Sequence, residues 1–242
     1  MNDYGDLKLI KSPKIGLLNE KSLHAELKNW IAEQDDLQEV KIDGYVVDLV
    51  RDQKMIEIQT SNFSSFKKKI KKLAEKYEIE IVYPIPKIKW IVKLSSDLTT
   101  KINRRKSPKR GDIYNLFDVL VNFPRMLNKE NVKLRVLLVR EEELRCYDPQ
   151  KAWRKRHWVT VERKLLQVDE QYFFNKPEEL YRLIPDNLPG NFTTTDLSSC
   201  LNRSMRLSQK IAYCFKKMDL IQVVGKQGNS LVYCRSQPTP GY

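Results

Sequence analysis

Histidine is scarce. His24 and His157 are the only two in 242 residues, which rules out a multi-histidine metal site. Any metal must be held by carboxylates, which favours a hard ion, Mg²⁺ or Mn²⁺. The four cysteines, Cys146, Cys200, Cys214 and Cys234, lie far apart and form no Cys-x-x-Cys pair. That excludes a zinc knuckle and a disulfide frame, and it predicts free thiols in a reducing compartment, the cytoplasm. No run approaches the ~20 apolar residues of a membrane helix, and the opening Met-Asn-Asp-Tyr-Gly-Asp carries no secretory apolar region, so no membrane association is expected. With 8 glycines and 11 prolines the chain is neither collagen-like nor broadly disordered. Acid is the minority charge: 31 Asp and Glu face 44 Lys and Arg, a net +13. That excess predicts a polyanionic partner, most simply nucleic acid, although an anionic membrane surface would also be attracted. The length suits one large domain or two modest ones.

Periodicity divides the first hundred residues into a helix, three strands, a helix and further strands. Asn19 can cap a helix over Glu20–Glu33, with Leu23, Leu27, Trp30 and Ile31 at helical spacing. Strand-like pieces follow at Glu39–Ile42, Tyr45–Val50 and Met55–Gln59, the first two joined by an Asp43-Gly44 turn signal. A second helix over Ser64–Tyr77 carries Phe66, Ile70, Leu73 and Tyr77 on one face. Ile79–Tyr83 is a further strand closed by Pro84 and Pro86, and Lys89–Leu94 is another. Three strands with short connections make an antiparallel meander, and the helix crossover returns a strand to the same sheet.

The polar residues on this frame are the informative ones. With Arg51–Lys54 as a four-residue hairpin loop, Val50 faces Met55 and Asp48 lies opposite Glu57. Directly opposed like charges are destabilising unless something sits between them. Gln59 shares a face with Glu57, because strand side chains alternate. Glu26 projects about 60° from Leu23, beside the apolar stripe. Three carboxylates are thus expected to converge from a helix and two strands, with a divalent cation as the economical counter-ion.

A helix glutamate, a second-strand aspartate and a Glu-x-Lys-type pair on the third strand resemble the PD-(D/E)XK nuclease-like superfamily, over roughly Glu20–Tyr83. The resemblance implies an αβββαβ core with a mixed sheet and metal-dependent cleavage of DNA. It implies Glu26 as the helix acid, Asp48, Glu57 and the Ile58 carbonyl as metal ligands, and Gln59 in the usual lysine position. The implied chemistry is phosphodiester hydrolysis, in which a bound ion polarises a phosphate oxygen and lowers the pKa of a water. Glutamine departs from the pattern, because an amide can orient water but supplies no charge and does not titrate. The following helix offers Lys67, Lys68, Lys69, Lys71 and Lys72. Lys69 falls next to the buried face and is the candidate for a migrated lysine, whereas Lys68 and Lys72 point to solvent. The alternative is a nuclease-like protein that binds DNA and regulates without cutting.

Beyond residue 100 the sequence predicts a basic connector, Lys101–Arg110, in which Arg104, Arg105 and Arg110 can track phosphates. Asp112 can cap a helix through Val121, and Val132–Val139 reads as a strand that extends the sheet. In Lys151–Trp158 aromatic and basic residues interleave, so Arg154 and Arg156 can neutralise phosphates while Trp153 or Trp158 stacks, unless both tryptophans are core anchors. Pro177 marks a helical first turn before a Pro185–Asn191 linker. From Asn191 the pattern is helix, helix and glycine-tipped hairpin, which resembles the winged-helix family over about Phe192–Arg235. Thr193 or Thr194 and Ser204 supply the caps, and Leu207, Ile211, Cys214, Phe215 and Met218 form the buried stripe. Arg206, Lys210, Tyr213 and Lys217 share a second face suited to DNA, with Lys226 at the wing tip. The expected division is 1–100 for the core, 101–190 for connector and packing elements, and 191–242 for the winged helix. Cutting both strands in one visit needs two sites, which a homodimer would supply.

Overall fold

The computed structural model describes residues 22–60, 63–151 and 153–236. The cap at Asn19 lies outside them. Helix α1 (Ser22–Ile31) precedes strands β1 (Leu37–Ile42), β2 (Tyr45–Arg51) and β3 (Lys54–Ile58), then helix α2 (Phe63–Leu73) and strand β4 (Ile79–Leu94). Strand β5 (Lys101–Lys106), the short helix α3 (Phe117–Leu120), and strands β6 (Val132–Tyr147) and β7 (Trp158–Phe174) follow. The order in the large sheet is β1-β2-β3-β4-β6-β7, with β5 on the edge of the distal half of β4. The β1–β2–β3 meander is antiparallel, the β3–β4 and β4–β6 ladders are parallel, and β7 returns antiparallel to β6. The architecture is therefore mixed α/β around one large mixed sheet.

The expected register of the meander is present with a tighter turn. Val50 pairs with Met55 and Arg51 with Lys54, leaving a two-residue turn in which Asp52 and Gln53 both have positive φ. This geometry matches the twist of the flanking strands. Arg51 is anchored by Asp36 at 2.7 Å and by the Ile31 carbonyl at 2.8 Å, which ties the turn to the end of α1. Helix α1 buries Leu23, Leu27 and Ile31 against Leu49, Ile56, Ile58 and Val82. Helix α2 buries Phe66, Ile70 and Leu73 in a larger cluster with Met55, Ile79 and Ile81.

Two expectations are corrected. Pro84 and Pro86 do not close a strand: β4 runs through both for 16 residues. Val82 turns its carbonyl toward the β3 side, where Gln59 N–H donates to it at 2.8 Å. Alternate residues of a parallel strand turn their backbone groups to the same neighbour. Pro84 and Pro86 therefore face that side too, beyond the end of β3, where a missing N–H breaks no ladder. The basic segment is likewise not all connector, because Lys101–Lys106 pairs with β4 as β5. The Asp112 cap is present, over a 3₁₀ turn at Ile113–Leu116 that runs into α3. Pro177 begins a 3₁₀ helix, Pro177–Leu183. Strand β7 had no counterpart in the sequence reading.

The C-terminal elements are β8 (Asn191–Phe192), α4 (Thr194–Leu201), α5 (Met205–Lys217), β9 (Ile221–Gln227) and β10 (Ser230–Arg235), with a three-stranded sheet in the order β8-β10-β9. Thr193 caps α4 and Ser204 caps α5. Ile211, Cys214, Phe215 and Met218 are buried and join the large core cluster. Phe215 meets Phe117 edge-on at 5.7 Å, Arg203 pairs with Asp112 at 2.6 Å, and Lys210 pairs with Asp118 at 2.7 Å. These contacts dock α5 on the α3 region.

Candidate functional site

A pocket of about 350 Å³ opens where β2, β3 and the first turns of α1 and α2 meet, and it is lined in part by His24, Asp48, Glu57, Gln59 and Lys69. The β2–β3 register brings Asp48 opposite Glu57, one pair beyond Leu49 and Ile56. Asp48 Oδ2 accepts from the Ile58 N–H at 2.7 Å and lies 3.2 Å from His24 Nε2. Glu57 is buried, and its Oε1 forms a close ion pair with Lys69 Nζ. Lys69 also donates to the Val46 carbonyl at 2.5 Å. Gln59 is buried beside Glu57 on the same face.

The two acids titrate in opposite directions. Burial favours the neutral form of Asp48. The hydrogen bond and charge of His24, the Ile58 N–H and the Lys69 charge outweigh burial and hold it below the ordinary aspartate range. Glu57 is pushed up to about 7, first by burial and then by the Asp48 charge, with Lys69 pulling the other way. A carboxyl poised there is in surplus negative charge whenever it ionises.

The structure thus gathers Asp48, Glu57, Ile58, Gln59 and Lys69 but not Glu26. That side chain accepts a hydrogen bond from the Leu165 N–H of β7 and does not line the pocket. The Leu165 N–H lies beside a bulge of the β6–β7 ladder, between Arg140 and Glu141, and Glu26 satisfies it. The expected convergence of three carboxylates is therefore reduced to two. In the third corner stands His24, half a turn before Glu26 and outside the expected acid set. Its one legible signal was its place near the start of α1 on the flank of Leu23. Among the described residues no group of three or more His, Cys, Asp and Glu side chains is disposed to hold a metal ion. The donor set is two adjacent carboxylates and the Ile58 carbonyl. This fits Mg²⁺, which usually takes one or two carboxylates and keeps several waters. Glu57 Oε1 already has the Lys69 ammonium as its counter-charge, so an ion bound there would share that carboxylate with Lys69.

The expected phosphate contacts are dispersed. Arg104 pairs with Glu142 at 2.6 Å and lies over the Trp90 ring, while Arg105 and Arg110 are exposed. Arg154 and Arg156 sit in the β6–β7 connection, where Trp153 is 72% exposed and Trp158 is half-buried beneath Lys93. Trp153 is therefore no core anchor. On α5, Lys210 is engaged by Asp118, whereas Arg206 and Tyr213 are exposed and Lys217 lies over the Tyr213 ring. Lys226 is exposed on the β9–β10 hairpin.

Residues 21–175 match the model of one protein family, from just before α1 to one residue past the end of β7. The large sheet is therefore the shared unit, and the C-terminal helices and hairpin lie outside it. An uncharacterized protein of Treponema pallidum (strain Nichols) is 28% identical over 185 residues, 76% of this chain and 73% of that one. No solved structure matches the chain.

Proposed function

The chain belongs to the family described as Domain of unknown function (DUF8091), a description that assigns no activity, and from the geometry of the pocket we propose that it is a metal-dependent DNA endonuclease that hydrolyses phosphodiester bonds. The observation that carries this reading is the opposition of Asp48 and Glu57 on adjacent strands, with Lys69 at Glu57 and the Ile58 carbonyl next to Glu57 in sequence. The α1–β1–β2–β3–α2–β4 order around that pair resembles a PD-(D/E)XK core. The β8–β10–β9 sheet with α4 and α5 resembles a winged helix, which would supply duplex affinity through Arg206, Tyr213, Lys217 and Lys226.

In this reading Asp48, Glu57 and the Ile58 carbonyl hold the ion. Bound Mg²⁺ or Mn²⁺ would supply Lewis-acid polarisation of a phosphate oxygen and a more acidic water. Lys69 would bring a positive charge to the site in place of the third-strand lysine of the PD-(D/E)XK pattern. Gln59 orients water through its amide. His24 holds Asp48 in place and keeps it ionised.

Gln59 favours a second reading, a nuclease-like protein that binds DNA without turnover. Incubating supercoiled plasmid with Mg²⁺ or Mn²⁺ separates the two. Metal-dependent nicking that disappears in Asp48→Ala and Glu57→Ala, with duplex binding retained, supports the enzyme. Salt-sensitive binding with no nicking under either metal supports the regulator.

A further inference from the structure

Past the end of β3, along the same edge of β4, lies a larger cleft of about 710 Å³, within the range of pockets that take an organic ligand. The two prolines explain its position. Pro84 and Pro86 offer no N–H on that edge, and a neighbouring strand resumes only where Lys106 pairs with Trp90. The gap is roofed by the loop after β5, whose Ser107 N–H donates to the Lys89 carbonyl at 2.8 Å and whose Gly111 N–H donates to the Pro86 carbonyl at 3.1 Å. A Cβ on Gly111 would lie 2.6 Å from the Pro86 oxygen, so glycine is what lets the loop close this tightly. Tyr83, Ile85 and Ile91 give the floor an apolar, partly aromatic surface.

The sheet sorts charge between its faces here. Ile91 pairs with Arg105 on one side and Glu143 on the other, while Trp90 pairs with Lys106 and Glu142. Side chains alternate, so Lys89, Arg105 and Glu143 share the cleft face, and Trp90, Arg104 and Glu142 share the opposite one. The cleft's two acids are already neutralised. Glu143 is buried against Lys89 at 2.9 Å and Arg145 at 2.8 Å, and Asp118 is held by Lys210. Arg105, Lys109 and Arg110 line the same cleft, are exposed, and make no ion pair among the described residues. Three surplus cations therefore converge over an apolar floor, the composition that receives phosphate groups with a sugar or base attached.

A ladder of buried contacts links the cleft to the acidic pocket. Arg163 donates to the Thr60 carbonyl in that pocket at 3.4 Å and to Glu141 at 2.5 Å, and Glu141 pairs with Lys89 of the cleft at 2.9 Å. A single ligand long enough to reach both sites is a polymer. We infer that the cleft is a second phosphate-ester site, which holds the sugar-phosphate backbone of the nucleic acid whose scissile bond lies at Asp48 and Glu57. The inference rests on the nuclease reading and adds where the flanking strand is gripped.

The test is the salt dependence of binding by the full chain, measured by fluorescence anisotropy with a short single-stranded oligonucleotide in chelator, so that nothing is cut. Removing three phosphate contacts in Arg105→Ala/Lys109→Ala/Arg110→Ala should flatten the slope of log K against log salt by about two, with thermal melting unchanged. A control of equal charge, Lys67→Ala/Lys68→Ala/Lys71→Ala on the exposed side of α2, should change it by less than half as much. Equal slopes for the parent and the cleft variant overturn the inference, as do equal losses in the cleft and control variants. ATP alone provides the second arm. If ATP binds the parent and not the cleft variant while oligonucleotide affinity is unchanged, the site takes a free nucleotide and the backbone assignment is wrong. Plasmid nicking is scored separately. A parent that never nicks but shows the slope change keeps the cleft and loses the catalytic reading, whereas nicking with an unchanged slope does the reverse.

Discussion

Asp48 and Glu57 stand opposite each other across the β2–β3 ladder, and the same neighbourhood lowers one carboxyl and raises the other. Because Glu57 is raised from 4.5 to about 7, the native state holds its proton more tightly than the unfolded chain does. Its contribution to stability is complete below the ordinary glutamate value and is lost as pH rises through the native one. Asp48 has the opposite sign, contributing above 3.8 and losing that contribution only as pH falls through its lowered native value. Between about pH 5 and pH 8 Glu57 is therefore the member of this carboxyl pair that titrates. Melting temperature in chelator should fall across that interval, and Glu57→Gln should flatten the slope. A parent curve that is flat, or that rises, contradicts the raised Glu57.

A divalent cation would reverse this trend. Ligand carboxylates must be deprotonated to bind, so affinity grows with pH. Mn²⁺ or Mg²⁺ should raise the melting temperature more at about pH 8 than at about pH 5, by the equivalent of about 2.7 kcal/mol at a hundredfold excess over Kd. Asp48→Ala and Glu57→Ala should abolish the shift. Calorimetry with each metal checks it, and an equal shift in both variants places the ion elsewhere.

Lys69 is the most informative single residue. Lys69→Met removes the counter-ion of Glu57 and the donor to the Val46 carbonyl. If Lys69 serves the scissile phosphate, plasmid nicking should fall about 100-fold or more, while oligonucleotide binding changes little. Returning the charge to the third strand in Gln59→Lys/Lys69→Met should recover part of the loss. A Lys69→Met protein that nicks at the parent rate eliminates the migrated-lysine assignment.

The local half of this site was readable because it is written in short-range pattern. The alternation of Val47, Leu49, Ile56 and Ile58 and the Arg51–Lys54 connection set the β2–β3 register, and the register sets Asp48 against Glu57. The amphipathic spacing of α2 likewise put Lys69 at the edge of its buried face. Long-range partners were not readable. Glu26 bonds to Leu165, 139 residues away, and no local signal announces that contact. Strand β7 is mostly half-buried, and three register shifts interrupt its ladder with β6, so the period-two signature is lost. The run Glu141-Glu142-Glu143 looks like a solvated strand end, yet all three are buried, because Lys89, Arg104 and Arg163 arrive from elsewhere in the chain while Arg145 reaches back along the strand to Glu143.

That buried ladder makes the last prediction. Glu141 has no exposure and sits between Lys89 at 2.9 Å and Arg163 at 2.5 Å. Lys89 must also serve Glu143. In Arg163→Met, Glu141 keeps half a counter-ion inside the sheet, and the Thr60 carbonyl loses a donor. Breaking a buried pair from one side costs about 3–5 kcal/mol, because it strands the remaining charge. Glu141→Gln/Arg163→Met removes the stranded charge along with its partner. Its loss in urea unfolding should fall short of the sum of the two single losses by about 1 kcal/mol or more. Strict additivity would mean that the two side chains act independently, and the ladder would then couple nothing between the acidic pocket and the cleft.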